Sequence, residues 1–196
     1  MSIIWIFVII LGGFLLLWFG WGIISPFIWE KPEYEVIKKF GRVEIRRYEP
    51  ARVLVTESNS FSTAFSTLSG FIFGNNVEKK KVAMTTPVLT EQTEDNKLRM
   101  VFFVPKKFAD QRKKLPTPYG KDIVIQSQDQ KYIAAVRFRG RFNKQKRKKY
   151  EKILIERLKL DNIETVGQPL IMQYSDPFVP SPLRINEIGI IAQITK

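Results

Sequence analysis

The sequence predicts an α+β domain preceded by one transmembrane helix. Three observations support this fold class: an uncharged apolar N-terminal segment, a ββαββ pattern that occurs twice after it, and a remainder of the size of one ordinary domain. A duplicated unit of this kind closes most simply into one antiparallel sheet or barrel with two helices packed on it. We therefore divide the chain into an anchor at residues 1–30 and a folded domain at residues 31–196.

The N-terminal segment is long and apolar enough to cross a membrane. Met1–Trp29 contains no charged side chain, and at about 1.5 Å per residue Ile3–Ile24 can cross a ~30 Å hydrocarbon layer as one helix. Ser25-Pro26 predicts a break just past this segment, and Trp18, Trp21 and Trp29 gather at the same end, where indole rings favour the headgroups. A cleaved signal peptide would need a basic start, and no Lys or Arg precedes the apolar residues, so we predict an uncleaved anchor.

Basic residues after the anchor predict its orientation. The N-terminal side offers only the α-amino group, so the positive-inside rule places the folded domain in the cytoplasm. The chain has no cysteine, so no disulfide indicates an oxidising compartment. The basic residues close behind the helix are Lys31, Lys38, Lys39, Arg42, Arg46 and Arg47.

The overall charge favours anionic partners. The chain has 32 Lys and Arg against 19 Asp and Glu, a formal net charge of +13, and every one of these residues follows Trp29. Phospholipid headgroups, acidic ligands and nucleic acid all suit such a balance. The anchor makes the lipid surface the nearest of these partners.

Two segments of similar pattern indicate an internal repeat. Val43–Val55 and Ile123–Ala135 both read as an alternating strand, a polar turn and a second apolar strand. No gap is needed to place one beside the other. The domain is therefore expected to have a pseudo-two-fold architecture.

A helix follows each of these strand pairs. The first is predicted at Phe61–Ile72 after the start signal Ser58-Asn59-Ser60, and the second carries an apolar stripe from Tyr150 to Leu158, with Asn143 as its cap and Asp161-Asn162 as its end. Two further strands are predicted after each helix, at Val82–Thr90 and Leu98–Val104 in the first half and at Pro169–Tyr174 and Glu187–Ile194 in the second.

Short motifs follow one another through nearly the whole domain: Val43–Tyr48, Gly70–Asn75, Val82–Val88, Leu115–Pro118, and Tyr174–Phe178 leading to Arg184–Glu187. In this order and spacing they resemble the SOUL family of haem-binding proteins. The resemblance implies a distorted eight-stranded antiparallel β-barrel flanked by two helices, which agrees with the repeat. It also implies that the domain binds a tetrapyrrole.

The composition restricts how haem can be held. The chain has neither His nor Cys, which excludes the proximal ligands of globins and of thiolate haem enzymes. An axial ligand would be a Met, a Lys or a Tyr, with Tyr48, Tyr132 and Tyr174 as candidates, or it would be absent. Haem or another porphyrin would then depend on apolar burial and on cations at its propionates. Such a site is typical of a carrier and unsuited to redox catalysis.

The resemblance also indicates where the ligand binds, because the first helix borders the proposed haem groove in this family. Its face of Phe61, Phe65, Leu68 and Ile72 is the candidate apolar wall, although such a stripe more commonly packs on a sheet. Met84 lies in the most family-like motif and is a candidate ligand for iron or a residue that fills a gap in the core.

A run of cations from Arg137 to Lys149 is the second candidate site. The helix dipole favours anions where Lys144, Lys146, Arg147 and Lys148 open the second helix, so these residues predict an anionic partner. Anionic lipid headgroups are the first choice and haem propionates the second, whereas nucleic acid is not favoured because the run lacks an aromatic-interleaved single-strand motif. A solvated basic surface without a ligand is the alternative.

No catalytic constellation is visible, so we expect no enzyme activity. The leading interpretation is a membrane-anchored protein that binds or transports haem or another tetrapyrrole. Two alternatives stay open: a membrane-surface interaction module that binds no haem, and a sensor of other apolar small molecules. The oligomeric state has no signature in the sequence.

Overall fold

The computed structural model of the chain describes residues 2–108 and 114–194. This described part contains three α-helices and nine β-strands. The helices are α1 (Ile3–Ile28), α2 (Phe61–Ile72) and α3 (Lys144–Leu160). The strands are β1 (Tyr34–Phe40), β2 (Val43–Tyr48), β3 (Ala51–Ser58), β4 (Val88–Gln92), β5 (Leu98–Phe103), β6 (Val124–Gln128), β7 (Lys131–Arg139), β8 (Glu164–Gln173) and β9 (Ile185–Gln193).

All nine strands form one antiparallel sheet in the order β1-β2-β7-β9-β8-β4-β5-β3-β6. In the described residues β1 pairs only with β2 and β6 only with β3, so the sheet is open. The closed barrel expected from the sequence is therefore not observed. The additional strand β1 was not predicted, because its exposed positions Lys38 and Lys39 obscure the alternation of apolar and polar residues.

The strand order is symmetric about the contact between β4 and β8. Exchanging β2, β3, β4 and β5 with β6, β7, β8 and β9 gives the same order read from the other end, apart from β1. A β-β-α-β-β succession occurs twice along the chain, as β2-β3-α2-β4-β5 and β6-β7-α3-β8-β9, and each unit places one strand on the far side of this contact, β2 beside β7 and β6 beside β3. Descent of the two halves from one duplicated unit stays a hypothesis.

Three groups of buried apolar side chains form the core. The first lies on one face of the sheet and includes residues of both halves, such as Val53 of β3 and Ile133 of β7. The opposite face is covered by the helices. α3 packs there through Leu154 and Leu158, and α2 packs through Leu68 and its neighbours.

Helix α1 is longer than the sequence predicted. It continues through Pro26 to Ile28, so the predicted break at Ser25-Pro26 is wrong. Pro26 lies in the last turn, where its missing N–H removes one backbone hydrogen bond and only two helical residues follow. The helix is long and apolar enough to cross a membrane, a property that signal sequences share. Gly22, Ser25 and Pro26 are its buried residues, and they lie on one face.

The two helices of the folded domain begin as predicted. Ser60 Oγ caps α2 by accepting a hydrogen bond from Thr63 N at 3.2 Å. Asn143 Oδ1 caps α3 in the same way, accepting from Lys146 N at 2.8 Å. Local capping signals therefore located both helix starts correctly.

The strand predicted from Val82 is shorter than expected. β4 begins only at Val88, and the preceding residues contain a cis Thr86–Pro87 peptide. Thr85 forms a β-bridge with Glu30, and Thr86 N donates to Glu30 O at 2.9 Å. Pro87 has no N–H to donate to a sheet, and this segment bonds instead to the residues that follow α1.

Candidate functional site

The four residues of the predicted ligand wall on α2 do not share one environment. Leu68 and Ile72 are fully buried in the core between α2 and the sheet. Phe65 is partly buried against the same core, and its ring stacks on that of Phe61 with centroids 6.0 Å apart. Phe61 keeps 43% of its surface exposed. Of these four residues, only Phe61 and Phe65 are accessible to a ligand without opening the core.

Met84 lies near the other end of α2. Val82 N donates to Ile72 O at 2.8 Å, which places the segment of Met84 beside the last turn of the helix. Met84 is half-buried and packs on the α2 core group. Met84 therefore packs on the core at one end of α2. Phe61 lies at the opposite end of the helix.

A cleft lies at the contact between β4 and β8. It has a volume of about 220 Å³. Asn59, two residues before Phe61, borders it on one side, and Arg147 of α3 on the other. The remaining lining residues are Thr90, Glu91, Gln92, Asn96, Leu98, Pro169 and Ile171. The cleft thus combines one cation, Arg147, and one carboxylate, Glu91, with polar and apolar side chains.

The four predicted cations of α3 differ in their contacts. Lys144 and Lys148 are exposed. Lys146 Nζ donates to Arg139 O at 2.8 Å, and Arg147 Nε pairs with Glu151 Oε1 at 2.6 Å. Two of the cations therefore have partners within the chain, and of the four only Arg147 lines the cleft.

A buried ionic cluster around Glu187 was not foreseen from the sequence. The Glu187 carboxylate of β9 is fully buried and accepts hydrogen bonds from Arg46 Nη1 at 2.7 Å and Nη2 at 2.9 Å. Arg137 Nε and Tyr174 Oη also donate to it, each at 2.7 Å. Arg46 reaches Glu44 Oε2 as well, at 2.8 Å. A charged residue within the apolar strand β9 was the signal that could have revealed this cluster.

The cluster changes the protonation of its members. Burial alone would raise the pKa of Glu187, but the hydrogen bonds and charges of Arg46 and Arg137 outweigh it and lower that pKa below the usual 4.5. Burial and then the Glu187 charge raise the pKa of Tyr174 well above its ordinary value, and burial raises the pKa of Tyr48. Both phenols are therefore held protonated, which disfavours them as phenolate ligands of iron.

The residues at the cleft suit part of a tetrapyrrole. Ligand pockets usually enclose about 300–1,000 Å³, so a cleft of about 220 Å³ would hold one edge of the macrocycle and leave the rest on the surface. Arg147 would meet a propionate, whereas Phe61 and Phe65 do not line the cleft. The described residues contain no cluster of three His, Cys, Asp or Glu side chains for a metal ion.

A second depression, of about 460 Å³, suits an acidic ligand poorly. It lies between the end of the α1 segment and strand β2 and contains three carboxylates against one guanidinium. Its lining residues are Pro32, Glu33, Tyr34, Glu35, Arg47 and Glu49. Propionates would be repelled there, so the cleft at Arg147 is the better candidate site.

Known proteins resemble this chain in family and in fold. The model of the SOUL heme-binding protein family matches residues 29–191. The crystal structure of the C-terminal domain of EcmrR is 12% identical, covers 83% of this chain and 99% of that one, and has a TM-score of 0.57. A hydrolase from Listeria innocua is 8% identical, with coverage of 80% and 94% and a TM-score of 0.55. Such low identities bear on the fold alone, and no curated protein gives a significant match.

The cluster around Glu187 leads to a prediction about stability. Glu187→Gln leaves Arg46 and Arg137 without their buried counter-charge, so we expect a loss of about 3–5 kcal/mol in the free energy of unfolding. Denaturant unfolding of the full chain in detergent measures it. Glu91→Gln, which breaks a partly exposed pair with Arg99, is the control and should cost less than about 1 kcal/mol.

The Glu187 cluster also predicts how the free energy of unfolding depends on pH. Because folding lowers the pKa of Glu187, its ionised form contributes stability above pH 4.5, and this contribution is lost as the pH falls through the lowered pKa. The Glu187→Gln variant should lose less stability than the unaltered protein between pH 5 and pH 3. Parallel acid profiles in the two proteins would contradict the assignment.

Proposed function

Because this chain belongs to the SOUL heme-binding protein family, we propose that it is a membrane-anchored protein that binds or transports haem or another tetrapyrrole without catalysing a reaction. The observation that carries this proposal is the extent of the family match, which runs from residue 29 to residue 191 and so includes β1 to β8 and most of β9. Helix α1 supports the membrane anchor by its length and hydropathy.

The proposed ligand lies in the cleft at β4, β8 and the start of α3. The Arg147 guanidinium, which lines this cleft, binds a carboxylate, and the part of the macrocycle outside the cleft contacts Phe61 and Phe65, which follow the lining residue Asn59 in the chain. A bound haem would add its iron. Contacts to the ring and to a carboxylate do not require an axial ligand, which suits a chain that has neither His nor Cys. The exposed Lys144 and Lys148 add positive potential near the cleft and favour an acidic ligand.

The first test compares haemin with iron-free porphyrin. Both have the same flat ring and propionates, so we expect dissociation constants within about tenfold of each other, or about 1.4 kcal/mol. Titration of the full chain in detergent, followed in the Soret band, measures both. Strong preference for haemin that disappears on replacing one Tyr or Met would contradict the binding mode. Binding of neither would leave the membrane-surface module and the sensor of other ligands as the remaining functions.

The second test asks whether the porphyrin binds at the cleft lined by Arg147. Arg147→Gln removes the carboxylate contact and should weaken porphyrin binding by about tenfold, the loss of about 1.4 kcal/mol. Arg157→Gln is a matched control, because Arg157 also lies on α3 and pairs with a carboxylate four residues later, Asp161, yet does not line the cleft. Equal affinities of the two variants would place the ligand elsewhere.

The third test concerns the anchor and its orientation. We propose that the folded domain lies in the cytoplasm, supported by the excess of basic residues that follows α1. Protease added to intact cells or spheroplasts should leave the domain undigested until the membrane is opened. Digestion from outside would reverse the orientation, and release of the whole protein by alkaline washing would reject the anchor.

A further inference from the structure

The loop that precedes β9 has the properties of a membrane-inserted segment. We propose that residues Pro177–Leu183, the PFVPSPL loop, form a second membrane contact by entering the bilayer boundary beside α1. The proposal rests on the proposed anchor and adds to it a fixed position of the domain on the membrane. The partner is the lipid bilayer itself.

The PFVPSPL loop is apolar at its tip and uncharged throughout. Asp176 and Arg184 border it, and no charged residue lies between them. Phe178 is 76% exposed, although the neighbouring Val179 is buried. Exposure of an aromatic side chain to water is unfavourable, and its transfer to a lipid boundary is favourable.

The backbone of the PFVPSPL loop is largely satisfied by its own hydrogen bonds, as a lipid environment requires. Three of its seven residues are prolines and have no N–H. Of the other four, Phe178 N donates to Asp176 Oδ1 at 2.8 Å, and Val179 N and Leu183 N donate to backbone carbonyls. Arg184 donates to the carbonyls of Pro177 and Val179, at 2.7 and 2.9 Å. Entry into a dry environment therefore leaves few groups without partners.

The PFVPSPL loop packs directly on α1. Trp18 Nε1 donates to Phe178 O at 2.7 Å. Gly22, one turn further, is in close contact: a methyl group there would lie 2.7 Å from Leu183 Cδ1 and 2.8 Å from Pro180 Cδ. Only a residue without a side chain fits at this position. The contact thus joins the loop to the helix over one full turn.

The depth of this contact follows from the length of the helix. α1 begins at Ile3, and at ~1.5 Å per residue a ~30 Å hydrocarbon layer takes about 20 residues, so the helix leaves the layer near Ile23. Trp18 then lies about 7 Å inside the boundary. A tilted helix needs still more residues to cross. Phe178, bonded to Trp18, therefore lies at or inside the boundary whenever α1 spans the layer.

Basic residues lie beside the C-terminal end of the loop. Gly140 N donates to Arg184 O at 2.9 Å, so the turn before α3 adjoins the end of the loop. Lys146 Nζ binds Arg139 O in this turn, and Lys144 at the start of α3 is exposed. An apolar tip with cations beside it matches a lipid surface, which offers hydrocarbon to the tip and anionic headgroups to the cations.

Site-directed spin labels test the proposal on the full-length chain. The protein has no cysteine, so single cysteines can be placed by Phe178→Cys, Ile10→Cys and Leu160→Cys, and the labelled proteins reconstituted in vesicles of phosphatidylcholine and phosphatidylglycerol. Leu160 is the matched control, since it is 77% exposed but ends α3, whose first turn adjoins the loop. Collision with oxygen reports lipid, and collision with a water-soluble nickel chelate reports water.

The expected result is a high oxygen-to-nickel ratio at residues 10 and 178 and a low ratio at residue 160. A low ratio at residue 178 with a high ratio at residue 10 would overturn the inserted loop and leave the anchor intact. Low ratios at both positions would reject the anchor and the loop together. The two failures are therefore distinguishable.

A pair of glycine variants tests whether the helix holds the loop in place. In Gly22→Leu the added Cβ already collides with Pro180 and Leu183, whereas in Gly20→Leu the added Cβ meets nothing within 4 Å. Both variants make α1 more apolar by the same amount. The label at residue 178 should move towards water only in the Gly22→Leu protein. Equal ratios in the two variants would overturn the contact between loop and helix.

Discussion

The buried carboxylate of Glu187 is the interaction on which one half of the sheet depends. It accepts hydrogen bonds from Arg46 of β2, Arg137 of β7 and Tyr174 at the end of β8, while Glu187 itself belongs to β9. These four strands are consecutive in the sheet. A carboxylate of this kind is stable in the interior only if all its partners are present. The cluster therefore selects one arrangement of the four strands.

The same cluster adjoins the region where the PFVPSPL loop contacts α1. Tyr174 N donates to Ile185 O at 3.1 Å, so Tyr174 and β9 form the base of the PFVPSPL loop that contacts α1. Lys31, three residues after α1, is close enough for burial and the Arg137 charge to lower its pKa. The ionic cluster thus adjoins both the loop and the exit of α1. The candidate cleft lies farther along the sheet, at the contact between β8 and β4.

Local signals in the sequence predicted more of the fold than of the site. Ser60 and Asn143 cap their helices through contacts within three residues, and such contacts are visible in the sequence. The cleft depends on Arg147 meeting β4 and β8, which only the tertiary fold determines. Sheet closure is equally non-local, and the open sheet differs from the predicted barrel. Glu187 was visible as a charge in an apolar strand, but its distant partners were not.

We infer that Arg46 and Glu187 act as one structural unit, and a double-mutant cycle is the direct test of this coupling. Arg46→Met, Glu187→Met and the double variant are compared by equilibrium unfolding of the full chain in detergent. We predict that the double variant loses less free energy of unfolding than the two single variants lose together, by about 1–3 kcal/mol. Effects that add to within about 0.5 kcal/mol would contradict it.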